Sequence, residues 1–300
     1  GVAVQSGLCD ASAAVALDPD HFVVADDERN VLQVYRRGAG APVEGLRRDL
    51  SGFLGTKPGK ESDIEGAARL GDRVYWITSH GTNEDGEVQK RRHRLFATTV
   101  DPRTDGLAVV VVGRPYSRLV DDLVADRSLR RFHLRKAART PPKGPGGLAI
   151  EGLAATPDGD LLIGFRNPVP DGMALLVELK NPRGVVAGKR AKFGRSFLLD
   201  LDRRGIRSIE RVGADYLIIA GPIDDERPFA LYRWSGIEGD RPRRIVTPVI
   251  DGLQAEALFE VPGTAAVQVL SDDGRHRIGG IECKALPPGQ RAFRAVLLTP

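Results

Sequence analysis

One pattern recurs five times along this chain, and it limits the possible folds more than any other feature. A lead residue with an acidic or hydroxyl side chain is followed by small residues, a turn and a strongly apolar run. The copies open at Ser12-Ala13-Ala14-Val15, Glu65-Gly66-Ala67-Ala68, Glu151-Gly152-Leu153-Ala154, Glu210-Arg211-Val212-Gly213 and Glu256-Ala257-Leu258-Phe259. They lead to Phe22–Ala25, Val74–Ile77, Leu161–Gly164, Leu217–Ala220 and Ala266–Val269. Fourteen residues after the lead residues stand Asp26, Ser79, Phe165, Asp224 and Leu270. A two-strand hairpin of that length returns the chain to the rim where it began. Turn residues such as Asp18-Pro19-Asp20 and Pro157-Asp158-Gly159 sit where the hairpins need them.

Further strand-like runs follow each hairpin, among them Val31–Tyr35, Arg94–Val100, Ala174–Leu179 and Phe229–Trp234. Four strands per repeat fit the blades of a propeller better than a sandwich. Small residues at the head of each copy let the innermost strands crowd around an axis. The fifth copy finds only Phe293–Leu298 before Pro300, so Val2–Gln5 is expected to complete it and close the ring. The segment from about 116 to 145 breaks the pattern: Leu119, Val120, Leu123 and Val124 have helical spacing, and a proline-rich stretch ends it. The fold class expected is all-β: a five-bladed β-propeller spanning 1–300 as a single domain, closed by an N-terminal strand, with a helical insertion between blades two and three. A degenerate sixth blade is the alternative reading of that insertion.

Composition narrows the function. Hydrophobic residues at 41% and charged residues at 28% are globular proportions, which excludes disorder for most of the chain. No apolar run reaches the ~20 residues of a membrane-spanning helix. A net charge of +4, from 44 basic against 40 acidic residues, demands no nucleic-acid partner. The expected partner is a small anionic molecule or another protein, with no membrane or nucleic acid, and the chain is read as a monomer. Cys9 and Cys283 exclude a disulfide scaffold and a four-cysteine zinc site, yet allow one bridge at the seam of the ring. A bridge would suit a secreted or periplasmic protein, whereas free thiols suit the cytosol. The chain begins at Gly1 rather than Met, which points to a processed or trimmed N-terminus.

The repeat places Ser12, Glu65, Glu151, Glu210 and Glu256 around the mouth of one channel. Four carboxylates so close repel one another unless protonated, paired or bridged by a metal. Ca²⁺ tolerates wide, irregular oxygen sites better than Mg²⁺, so these five residues form the expected metal site. Two other readings stay open: carboxylates that fix blade to blade, and an anion-binding channel neutralised by arginine. One residue past the hairpin ends lie Asp27, His80, Arg166, Asp225 and Ser271. Of these His80, Asp27 and Asp225 are the candidate acids or bases, while Lys90, Arg92 and Arg166 are the candidate contacts to an anionic ligand. No nucleophile elbow, Walker A loop or dinucleotide fingerprint occurs. Glycosidase chemistry wants aromatic platforms, and aromatic residues are only 6%. The basic runs Lys90–Arg94 and Arg127–Arg139 read as solvated surface.

Ser6-Gly7-Leu8-Cys9-Asp10-Ala11-Ser12, Ser62-Asp63-Ile64-Glu65-Gly66, Lys90-Arg91-Arg92-His93-Arg94, Ile150-Glu151-Gly152-Leu153 and Ile281-Glu282-Cys283-Lys284 resemble an uncharacterised bacterial β-propeller family, a domain of unknown function, over nearly the whole chain. The Asp-Ile-Glu-Gly and Ile-Glu-Gly-Leu motifs are similar to those of phytase-like esterase propellers. The ring of Ser and Glu resembles the central Ca²⁺ site of five-bladed calcium-activated apyrases. These resemblances imply two functions: a Ca²⁺-dependent hydrolase of phosphate esters or similar anions, or a non-catalytic binding propeller with a structural ion.

Overall fold

The computed structural model describes residues 1–224 and 228–300. Among the described residues, five four-stranded antiparallel sheets form the blades, and a small hairpin, Arg277–Ile278 with Ile281–Glu282, lies in the blade-five loop. Blade one contains Ala11–Ala16, His21–Asp26, Val31–Arg36 and Pro42–Asp49, and blade two Ile64–Leu70, Arg73–Thr78, Leu95–Val100 and Val109–Tyr116. Blade three contains Ala149–Ala155, Leu161–Asn167, Ala174–Leu179 and Phe193–Leu199. Blade four contains Gly205–Val212, Asp215–Gly221, Ala230–Trp234 and Arg243–Ile245, its outer strand cut short by the turn Pro248–Ile250. Blade five is Ala255–Glu260, Val267–Ser271 and Ala292–Leu298, with Val2–Ser6 as its outermost strand, Val2 lying opposite Val296.

The first strand of each blade touches the first strand of the next, and that of blade five touches that of blade one, so the inner strands form a closed ring. Apolar side chains fill the seams. One buried cluster lies between each pair of adjacent blades, such as Phe22, Tyr35, Phe259 and Phe293 between blades one and five. The Trp76 and Trp234 side chains anchor two further seams. Helical turns Leu119–Ala125, Arg127–Phe132 and Leu134–Ala137 lie in the chain between blades two and three, and their Leu123, Leu129 and Leu134 join that seam's cluster.

The small residues at the head of the repeats have a visible cause. A β-carbon on Gly152 or Gly164 would stand 2.7 or 2.8 Å from the Ile206 side chain of the next blade. One on Gly205 would stand 1.9 Å from the carbonyl oxygen of Arg166. Inner strands approach this closely only where side chains are missing.

The ring is tied at its closing seam. Cys9 and Cys283, both fully buried, form a disulfide with their Cα atoms 5.9 Å apart. Beside it, Asp273 N–H donates to the Cys9 carbonyl at 2.9 Å, and Asp10 pairs with Asp272 as an isolated antiparallel bridge. The loop after Val267–Ser271 is thereby stitched to the chain entering the first inner strand.

Candidate functional site

Every inner strand carries a β-bulge, and the bulges build the site. Pairing slips by one residue between Ala11 and Ala13, Ile64 and Gly66, Ile150 and Gly152, Ile206 and Ser208, and Ala255 and Ala257. The residues skipped are Ser12, Glu65, Glu151, Arg207 and Glu256. A bulged residue is turned out of the regular alternation, which re-aims its side chain. The Glu151 charge repels both Glu65 and Glu256 and adds to the burial that raises their carboxyls.

Glu210 is not part of this set. It pairs with Leu217, three residues beyond Arg207 and so about 10 Å further along the strand. It lies in a recess of about 770 Å³ bounded by the far ends of the inner strands, with Leu17, Arg69, Ala155, Glu260 and Pro262. The hairpins explain the correction. Ala220 pairs with Ile206, as Asp26 pairs with Ala11, so strand ends align blade four on Arg207. Fourteen residues from Glu210 falls at Asp224, beyond the strand that ends at Gly221. Burial, opposed by a hydrogen bond from the Glu260 backbone and reinforced by the Glu260 charge, pushes the Glu210 carboxyl up to about 8. A carboxyl raised in the folded state stabilises below its unfolded range near 4.5 and loses that contribution as pH rises through about 8. Glu210→Gln is therefore expected to match the parent in denaturant unfolding at pH 4 and to exceed it increasingly toward pH 9. Equal midpoints at both ends would contradict that placement.

Arg207 changes the electrostatics of the ring. Its Nε lies 2.8 Å from Glu151 Oε2, and its Nη2 meets Glu256 Oε1. Arg166 approaches Glu151 from the other side, Nη1 to Oε1 at 3.0 Å, while its Nη2 donates to the Ile223 carbonyl at 2.7 Å. Blades three, four and five are thus joined by a buried chain of alternating charge. Burial still holds the Glu256 carboxyl up at about 8 despite Arg207.

The other side of the channel is acidic. Asp27, Asp63 and Glu65 each offer a carboxylate oxygen within 4.8 Å of the other two, and Asp27 is grouped likewise with Asp10 and Asp26. Asp63 is anchored: its Oδ2 accepts from Ser79 Oγ and lies 3.6 Å from Arg92 Nε. Asp26 is held by Arg29 at 2.7 Å. Among the described residues, nothing donates to Asp27 or Glu65, and Asp27 Oδ1 is a buried oxygen with no hydrogen-bond partner. Burial, and then repulsion from Asp272, Asp10 and Asp63, pushes the Asp27 carboxyl well above its usual range. Glu65 is raised likewise by burial and by Glu151. Asp10 and Asp272 are both pushed up to about 7, by burial first and by neighbouring carboxylates second.

The remaining candidates separate. Ser12 Oγ is committed to backbone, donating to the Ile64 carbonyl of the next blade at 2.5 Å. His80 is buried, with Nδ1 2.7 Å from the Thr78 carbonyl and its ring 5.4 Å from that of His93. Burial, and then His93, hold its imidazole neutral, down to about 3. Its contacts lie in the blade-two loop, and no channel carboxylate touches it among the described residues. Arg92 spends its donors on Glu61 at 2.7 Å and the Thr82 carbonyl at 2.7 Å, bracing the acidic side from behind. Lys90 is exposed and makes no described ion pair. Asp225 lies outside the described residues. Three acids at the site stood outside the expected set: Asp10 and Asp63 occur two residues before the bulges at Ser12 and Glu65, an equivalence the sequence displays, and Asp272 follows the end of a hairpin.

Fold and site together define a five-bladed β-propeller with a bulge-built channel, acidic on one side and arginine-bridged on the other. The family model described as "Protein of unknown function (DUF3616)" matches residues 97–268, and the chain belongs to that family. No curated protein matches it. Among solved structures, the chain is similar to the PQQ-bound aldose sugar dehydrogenase of Streptomyces coelicolor, at 14% identity and a TM-score of 0.48 over 99% of both chains. It is similar to a putative oxidoreductase (glucose dehydrogenase) of Thermus thermophilus, at 13% identity and a TM-score of 0.43, over 99% of this chain and 100% of the other. An engineered GH43 glycoside hydrolase aligns at 12% identity and a TM-score of 0.47, over 91% of this chain and 49% of that one.

Proposed function

We propose that the channel binds Ca²⁺ through Asp27, Asp63 and Glu65 and that the protein hydrolyses phosphate esters or similar anionic substrates. The observation that carries this reading is the unpartnered pair Asp27 and Glu65 facing the anchored Asp63. Oxygens bound to Ca²⁺ at about 2.3–2.6 Å lie at most about 5 Å apart, and those of Mg²⁺ about 4 Å. A trio whose oxygens all lie within 4.8 Å of one another falls within the span a Ca²⁺ ion can bridge. The donor set is all oxygen and anionic, as a hard cation requires. This moves the expected ion off the ring of Ser12, Glu65, Glu151, Glu210 and Glu256, retaining only Glu65.

A bound Ca²⁺ would supply a Lewis acid toward a phosphoryl oxygen. The chain's own groups do the rest. Arg166 and Arg207, fixed by Glu151 and Glu256, present positive charge beside the acidic trio and would orient an anionic ester between the two sides. Asp272, held at about 7 and accepting from Gly274 N–H at 3.0 Å, is suited to take a proton from water near neutral pH. The buried Cys9–Cys283 bridge fits an oxidising compartment, so the protein is proposed to be secreted or periplasmic.

A second reading, a binding propeller with a structural ion, is favoured by the Glu151–Arg207–Glu256 chain, which already serves to join blades. One experiment separates them. Thermal unfolding and release of phosphate from an aryl phosphate are measured with Ca²⁺ and with a chelator, for the parent and for Asp27→Asn. Ca²⁺ is expected to raise the melting temperature and to switch on phosphate release, both effects being lost in Asp27→Asn. Ca²⁺-dependent stabilisation without hydrolysis of any phosphate ester would leave the binding propeller. No response to Ca²⁺ would overturn the metal site itself.

A further inference from the structure

Between blades two and three the helical turns border an open cleft that the channel chemistry does not use. Its volume is about 840 Å³, within the range of small-molecule sites. Leu123, Leu129 and Leu134 beneath it are buried in the blade seam, so its accessible apolar surface comes from Val124, Ala125 and the hydrocarbon stems of the basic residues around it. Its rim is basic: Arg130, Arg135, Lys136 and Arg139 are all exposed around it.

The rim lacks counter-charge. From Arg127 to Leu148 the sequence contains no Asp or Glu. Of the nearest acids along the chain, Asp122 is engaged with Arg190 at 2.9 Å and with Tyr116, and Asp126 with the Ser128 backbone at 2.9 Å, while Asp121 is exposed on the adjoining helix. Among the described residues, Arg130, Arg135, Lys136 and Arg139 form no ion pair, whereas Arg91, Arg92, Arg183 and Arg190 elsewhere on the surface each hold a carboxylate. Four like charges gathered around one cleft repel one another, and an anion seated there relieves that repulsion. For stacking bases the rim offers only the exposed His133 imidazole, since Phe132 is buried beneath Arg131.

We propose that this cleft binds a small amphipathic anion, its apolar chain along Val124, Ala125 and the basic side chains' hydrocarbon stems and its carboxylate or phosphate among Arg135, Lys136 and Arg139. Charge complementarity selects an anion. A cleft of about 840 Å³ suits a single chain better than the flat face of a membrane.

The test is calorimetric titration of the full chain with sodium dodecanoate below its micelle concentration. Parallel titrations use inorganic phosphate, which has charge but no chain, and dodecyl maltoside, which has chain but no charge. Co-sedimentation with phosphatidylserine vesicles tests the membrane. One equivalent of dodecanoate is expected to bind saturably, and the triple variant Arg135→Gln/Lys136→Gln/Arg139→Gln to bind at least about tenfold more weakly. These side chains are exposed, so the variant should keep the parent's melting temperature. Val124→Glu, which puts an acid in the cleft, should weaken binding as strongly. The proposal fails if dodecanoate does not bind, if phosphate or the maltoside binds equally well, if the triple variant is unchanged, or if only the vesicles bind.

Discussion

Removing the Cys9–Cys283 bridge lowers the stability of the fold by about 5 kcal/mol. The bridge joins residues separated by 274 positions, so it closes nearly the whole chain into one loop. In the chain-entropy model a cross-link withdraws conformations from the unfolded ensemble in proportion to the logarithm of loop length, and long loops reach about 4.7 kcal/mol or slightly more. The bonded residues sit among further seam contacts, Asp273 N–H to Cys9 and Cys283 N–H to His276 at 2.8 Å, which lose their register once the sulfurs part. Guanidinium unfolding of the Cys9→Ala/Cys283→Ala variant should show the midpoint falling without refolding being abolished. Alkylation of the unreduced, unfolded parent should label no thiol. Coincident unfolding curves, or two labelled thiols, would contradict the bridge.

Arg207→Met costs about 3–5 kcal/mol, because a buried charge partner is removed and the charges it served remain. Glu151 and Glu256 then face one another across the blade-four strand with only Arg166 to compensate. The loss has a pH signature. With Arg207 gone, the Glu256 carboxyl rises further above its already raised position near 8. A raised carboxyl stabilises below its unfolded range and loses that contribution as pH increases, so the deficit grows from pH 5 to pH 9. Adding Glu256→Gln to Arg207→Met should recover part of it. A deficit independent of pH would mean that lost packing, not charge, is the cause.

The architecture was legible because period and hairpin length are backbone properties that survive divergence. Five inner strands, their apolar partners and the crowding small residues could be read from spacing alone. The site was legible only in part. Glu65, Glu151 and Glu256 were found because a bulge needs one extra residue at a fixed distance from a strand end. Arg207 escapes a reading by residue type because the other repeats carry Ser or Glu there, while Glu210 supplies a carboxylate three residues further on, where the hairpin is too short. The real site breaks the chemical repeat at the one position where a cation pairs with both Glu151 and Glu256. Asp27, Asp63 and Asp272 come from three separate stretches of chain, and only the closed ring brings them together.

The seam also fixes how the molecule bears load. Val2 lies beside Val296 and Ser6 beside Ala292, so the two chain ends leave the last blade from the same edge. Tension applied between the ends opens that antiparallel pair one bond at a time, as a zipper opens, and not in shear. The peeling stops at Cys9 and Cys283, where covalent sulfur carries the force across. Everything between them, including all five inner strands, lies outside the line of tension, which runs only through the last blade's two outer strands, Val2–Ser6 and Ala292–Leu298.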